Sequence, residues 1–90
     1  MQADKQKVAR LLSTARGQMD GVLRMMEEDK YCIDIANQIM ASIAILKKAN
    51  REILKAHLQG CVRGAIDAHD PVETDAKIGE LMDVLDKLGK

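Results

Sequence analysis

"YCIDIANQIMASIAILKKANREILKAHLQGCVRGAIDA", residues 31–68, is the stretch on which the fold turns. Between Cys32 and Gln59 it holds no glycine and no proline, the two residues that most readily end a helix. Ile35, Ile39, Ser42, Leu46, Ala49 and Ile53 step four, three, four, three, four along it. That is the heptad-like seam of a helix packed lengthwise on another helix. Ser42 is its one polar member, small enough to fit, and its hydroxyl can bond back to the carbonyl four residues earlier. The spacing predicts one helix over about 31–68, unusually long for so short a chain.

The flanks read as helices too. From about residue 4 to 29, Val8, Leu11, Leu12, Ala15, Met19, Val22, Leu23 and Met26 recur at steps of three and four, one apolar stripe. Gly17 and Gly21 interrupt it at about 1 kcal/mol each relative to alanine, as a neighbouring helix passing close would require. From about residue 71 to 88, Ile78, Leu81, Met82, Leu85 and Leu88 make a third stripe. Asp70 can cap its start, Pro71 suits the first helical position, and Glu73 completes a capping-box-like arrangement. Nothing alternates as a strand would. The expectation is an all-α, three-helix protomer with one long central helix, a single domain over residues 1–90.

The chain has one tyrosine and neither phenylalanine nor tryptophan. A core of Ile, Leu, Val, Met and Ala suits close-packed helices. A chain of this length buries only about 60–65% of the surface it exposes when unfolded, so stability is expected to come from association with other copies. Formal charge sums to +0 but is uneven. Residues 31–66 hold Lys47, Lys48, Arg51, Lys55 and Arg63 against Asp34 and Glu52, while residues 67–90 hold seven acids against three lysines. The middle is a basic surface and the tail an acidic one. No signal peptide or bilayer-spanning run is evident, so the expected location is the cytoplasm, with no membrane partner. There, two cysteines serve metal or redox chemistry, or simple packing, more readily than a disulfide.

Those cysteines are Cys32 and Cys61, and His57 stands four residues before Cys61, one helical turn away. On one continuous helix, Cys32 and His57 are roughly 37 Å apart along the axis. Either there is no shared site, or Cys32 meets His57 and Cys61 of another subunit. If two long helices pack antiparallel about a two-fold, Cys32 falls opposite the His57–Cys61 pair when the axis lies between Ile45 and Leu46, mid-seam. A two-fold interface yields two equivalent sites. Two thiolates and one imidazole favour Cu(I), with Zn(II) as competitor, although structural zinc usually takes a fourth ligand. The plain alternative is two packed cysteines and an incidental histidine.

Cys32, His57 and Cys61 at this spacing resemble the copper-sensing operon repressors of bacteria, the CsoR family. "ARGQMDGVLRMMEEDKYCIDIANQI" (15–39) resembles the family's first-helix end and cysteine turn. "KKANREILKAHLQGCV" (47–62) resembles its His–Cys stretch, and "IGELMDVL" (78–85) its last helix. The resemblance implies an antiparallel dimer assembling into a dimer-of-dimers tetramer. It implies a trigonal Cu(I) held by Cys32 of one protomer with His57 and Cys61 of its partner, and Tyr31 and Glu80 as outer partners of the histidine. It also implies repression: the apo tetramer binds operator DNA, and Cu(I) releases it.

The family has no helix-turn-helix and binds DNA through a basic surface on its first two helices. Here Lys47, Arg51 and Lys55 lie at i, i+4 and i+8 with Lys48 beside them, Lys48 at a place where the family often has a DNA-contacting arginine, and Arg10 and Arg16 could add to this surface from the first helix; Lys5 and Lys7 read as solvated. One departure stands out. The basic residue the family usually places six positions before the Gly of its R/E-G-Q/H motif is Leu11 here, with Arg10 about 100° around the helix from it. Other branches fit less well. The nickel- and cobalt-sensing branch has an N-terminal ligand and a histidine in place of Cys61, and the formaldehyde-responsive branch lacks the second cysteine. The persulfide-sensing branch keeps both cysteines without the histidine. A persulfide- or thiol-redox-sensing repressor using Cys32 and Cys61 is therefore the alternative. A plain helical interaction module is a further one. An enzyme is not expected, because no third group orients His57 and Cys61 as a base and nucleophile would need.

Overall fold

The computed structural model describes residues 1–88 and, of Cys61 and Val62, the backbone. Helix α1 spans Lys5–Glu27, α2 spans Cys32–His57, a π-helical turn covers Leu58–Val62, α3 spans Arg63–Asp67 and α4 spans Pro71–Leu88. Among the described residues there is no strand. The outer helices fall where the apolar periods place them. The expected single helix over 31–68 instead runs as α2, the π turn and α3 in succession. Gly60 lies in the π turn and Gly64 just beyond it, so intrinsic helix preference is weakest there. Gly60 also accommodates a neighbour: a Cβ built on it would stand 2.6 Å from Oε1 of Gln2.

The chain divides into two compact units, Asp4–Glu52 and the combination of Met1–Ala3 with Ile53 onward. The first is an antiparallel hairpin of α1 and most of α2. Lys7 pairs with Glu52 at 3.2 Å, and Gln18 meets Ser42, so eleven residues up α1 correspond to ten down α2. The Asp4 carboxylate starts α1 by accepting from the N–H groups of Gln6 and Lys7 at 3.0 and 3.2 Å. The connection to α2 is a Schellman turn, with the Lys30 N–H on the Met25 carbonyl at 3.0 Å and Asp29 at φ 51°.

The hairpin core corrects the simple stripe. On α1 the buried residues are Val8, Ala15 and Val22, seven apart; on α2 they are Ser42 and Ala49, also seven apart. Leu12, Met19, Leu23 and Met26 are 45–59% exposed, and Ile39 and Leu46 of the α2 seam are 44% and 39% exposed. The small members of each stripe pack helix on helix, and the large ones flank the contact and point outward. Ser42 is part of the joint. Its hydroxyl lies 3.2 Å from Gln18 Oε1 and 3.4 Å from the Gln38 carbonyl, so its single proton has an interhelical acceptor as well as the intrahelical one. The outward residues line an apolar groove of about 410 Å³ bordered by Met19, Leu23, Ile39, Ile43 and Leu46.

In the second unit the π turn, α3 and α4 pack against one another. Helix α3 ends in a second Schellman turn, with the Asp70 N–H on the Ala65 carbonyl at 3.4 Å and His69 at φ 55°. Asp70 then caps α4, its carboxylate accepting from the Glu73 N–H at 3.1 Å. The expected capping box is only half made, because the Glu73 carboxylate turns to Lys77 at 3.7 Å.

Candidate metal centre and basic face

His57 is the last residue of α2 and its side chain is 28% exposed. Its Nε2 stands 4.0 Å from Oε2 of Glu80 on α4. That is beyond a hydrogen bond but within direct charge interaction. The two line a groove of about 230 Å³ whose other walls are Ile53, Leu54, Leu81 and Val84. Helix spacing explains this arrangement. Ile53 and His57 share one face of α2, as Glu80 and Val84 share one face of α4, so the apolar pair seats the polar pair beside it. The same Glu80 oxygen is 3.8 Å from Lys77 Nζ.

Cys32 is a free, exposed thiol at the first position of α2. The helix runs unbroken from it to His57, which is the condition behind the two-subunit reading. Among the described residues no three His, Cys, Asp or Glu side chains gather as a metal would need. The backbone of Cys61 lies in the π turn, and its side chain lies outside the described residues. A π turn carries an extra residue per hydrogen-bonded loop, so the step from His57 to Cys61 is not that of a plain α-helix. Tyr31 immediately precedes α2, 65% exposed, with its carbonyl accepting from the Ile35 N–H at 3.2 Å.

The six basic residues singled out from the sequence are all exposed. Lys47, Arg51 and Lys55 recur every fourth residue along one stripe of α2, with Lys48 beside them. Among the described residues none of the six takes part in an ion pair within 4.0 Å, whereas Lys7, expected to be solvated, holds Glu52. Arg10 and Arg16 sit about 120° apart around α1, so one flat surface cannot take both equally. Two partners were not anticipated, Gln18 for Ser42 and Lys77 for Glu80. The second was legible as a Lys–Glu pair three apart on one helix.

Residues 4–87 match the family model of metal-sensitive transcriptional repressors. The chain belongs to this family. A metal-sensitive repressor regulates transcription and is not an enzyme, and its partner is DNA. The copper-sensing transcriptional repressor CsoR of Mycobacterium tuberculosis is 40% identical over 84 residues, covering 92% of this chain and 67% of that protein. The copper-sensing transcriptional repressor CsoR of Bacillus subtilis is 36% identical over 87 residues, covering 97% and 83%. The crystal structure of the copper-sensing repressor CsoR with Cu(I) from Geobacillus thermodenitrificans is similar at a TM-score of 0.85 and 32% identity, covering 100% of this chain and 94% of that one. No helix among the described residues is long and apolar enough to cross a membrane.

Proposed function

We propose that this metal-sensitive repressor responds to Cu(I). The apo protein holds operator DNA, and Cu(I) bound by Cys32 of one protomer with His57 and Cys61 of its antiparallel partner releases it. The observation that carries the reading is Glu80 beside Nε2 of His57. Histidines that ligate metals commonly present their other ring nitrogen to a carboxylate, which fixes the ring and makes it a better donor. With Glu80 at Nε2, Nδ1 is the nitrogen left for a metal. Tyr31 adjoins Cys32 in sequence, so in this reading it arrives at the histidine with the partner's thiol. The donor set suits the ion, since two soft thiolates and an imidazole match low-coordinate Cu(I). The copper-sensing relatives point the same way.

A site divided between protomers makes metal binding a property of the assembly. The outward apolar groove on the hairpin, which Leu46 lines, is the surface this reading gives to a second copy, with the two-fold between Ile45 and Leu46 by the antiparallel arithmetic. Lys47, Lys48, Arg51 and Lys55, with Arg10 or Arg16, supply phosphate contacts, repeated in each protomer of a tetramer. Because metal and DNA act on one assembly, DNA weakens Cu(I) binding by the same factor as Cu(I) weakens DNA binding. The test is anaerobic Cu(I) titration of the protein bound to a labelled fragment of its own promoter. Release near one Cu(I) per protomer is expected. Persistence of the complex under Cu(I), with dissociation by a persulfide donor, would overturn the copper reading in favour of thiol chemistry. Mixing Cys32→Ala with His57→Ala/Cys61→Ala subunits should restore some sites, and no recovery would exclude the shared ligand set.

A further inference from the structure

We infer that Lys77 is a positioning residue for the metal-ligating histidine, acting through Glu80; this deepens the reading of His57 as a ligand and rests on it. Four side chains form a ladder. Glu73 Oε1 is 3.7 Å from Lys77 Nζ, Lys77 Nζ is 3.8 Å from Glu80 Oε2, and that same oxygen is 4.0 Å from His57 Nε2. The first three stand on α4 at steps of four and three, so the helix itself brings them into line. Their exposures differ in a telling way. The Lys77 side chain is 30% exposed, while the carboxylates on either side of it are 52% and 59% exposed. The lysine is the better-held member, and Glu80 is a long, solvated side chain with little else to direct it.

A carboxylate serves a ligating imidazole only if it stays at the edge of the ring. Left alone, Glu80 would spread over its rotamers, and its claim on Nε2 would weaken accordingly. Lys77 restrains it by pairing with the same Oε2 that faces the histidine, and Glu73 restrains Lys77. An isolated exposed ion pair does little, but a chain of alternating charges on one helix face limits the freedom of its middle members. Lys77 thus biases which ring nitrogen of His57 carries the proton before any metal arrives. Outer partners of metal ligands typically change affinity by about 10–100-fold when removed. Lys77 works one step further out, so its removal should cost about three- to tenfold.

The experiment compares Lys77→Met and Lys77→Arg with the unaltered protein and repeats both in a Glu80→Gln background. The metal-free readout is the tautomer ratio of His57 from long-range proton–nitrogen NMR couplings. The second readout is Cu(I) affinity by competition with a chromophoric chelator, and circular dichroism confirms helix content. Lys77→Met is expected to shift the tautomer ratio away from the Nε2-protonated form and to weaken Cu(I) binding. Lys77→Arg should restore both, and neither variant should matter once Glu80 is Gln. An unchanged tautomer ratio in Lys77→Met, or an equal effect with and without Glu80, overturns the inference. The tautomer readout needs no metal, so it judges Lys77 even if His57→Ala leaves Cu(I) binding intact, which would refute the ligand reading instead.

Discussion

Leu46 tests where the second copy sits. It lies on the hairpin's outward groove, 39% exposed, beside the position where antiparallel pairing of Cys32 with His57 and Cys61 puts the two-fold. Near a two-fold a residue meets its own counterpart, so each substitution acts twice. Full burial of a leucine side chain is worth about 1.5–3 kcal/mol, and covering the exposed share adds about 0.6–1.2 kcal/mol per protomer. Leu46→Ala should therefore weaken dimerisation by about 1.2–2.3 kcal/mol, or roughly seven- to fortyfold in dissociation constant. Leu46→Asp should do far more, because two carboxylates would be drawn from water close together without partners. The assay is sedimentation equilibrium across a concentration series. Circular dichroism should show the helices retained in Leu46→Ala. An Ile66→Ala variant, altering an exposed residue that does not line this groove, should leave association unchanged. Leu46→Asp assembling as tightly as the unaltered protein would refute the placement of the axis, and with it the geometry that brings Cys32 to the partner's histidine.

Ser42→Ala should lower unfolding free energy by about 0.5–1.5 kcal/mol, seen in denaturant melts, because the buried hydroxyl loses its contact with Gln18. His69→Gly should raise stability by about 0.5–1 kcal/mol in the same assay, since a positive φ of 55° is strained for a residue with a Cβ. A lower stability would mean that the His69 side chain contributes more than its backbone strain costs. Lys47, Arg51 and Lys55, each changed to Gln, should weaken operator binding without altering Cu(I) affinity of the free protein. Each should reduce the slope of log affinity against log salt by about one, and an unchanged slope removes that residue from the DNA face. Finally, the thermal midpoint of the apo protein should rise with protein concentration, and a flat midpoint would contradict stabilisation by association.

The helices were legible because their signals are local. Steps of three and four set α1, α2 and α4, and Asp70 with Pro71 marked the start of the last one. Both turns were faint for the converse reason. Their left-handed positions hold Asp29 and His69, not the glycine that usually announces such a turn. The π turn left no periodic trace, and only Gly60 hinted at it. Least legible was the direction of the stripes. Val8 and Leu12 share a period, as do Ser42 and Leu46, yet one of each pair is buried and the other exposed. Period reports a face, whereas size decides which residues the first neighbour covers and which wait for a second.

That division bears on how a bound metal could move DNA. Within the chain, the hairpin buries Val8, Ala15, Val22, Ala49 and Ser42, all small, and leaves most of its large apolar side chains in contact with water. In the proposed assembly, much of the hydrophobic stabilisation open to this sequence would therefore lie between copies. An assembly held in that way can have alternative packings of similar free energy, because the small-residue joints stay intact while large side chains exchange neighbours. A ligand shifts such an equilibrium only through unequal affinity for the two packings. The proposed site, assembled from the two ends of α2 in different protomers, would meet that requirement, since sliding one helix along the other would separate Cys32 from its partners while leaving each hairpin whole. Glu80, held between His57 and Lys77, extends the same sensitivity to α4. On the proposed reading, the metal ligands sit where small relative movements change the ligand set most, and the basic stripe lies on the same helix.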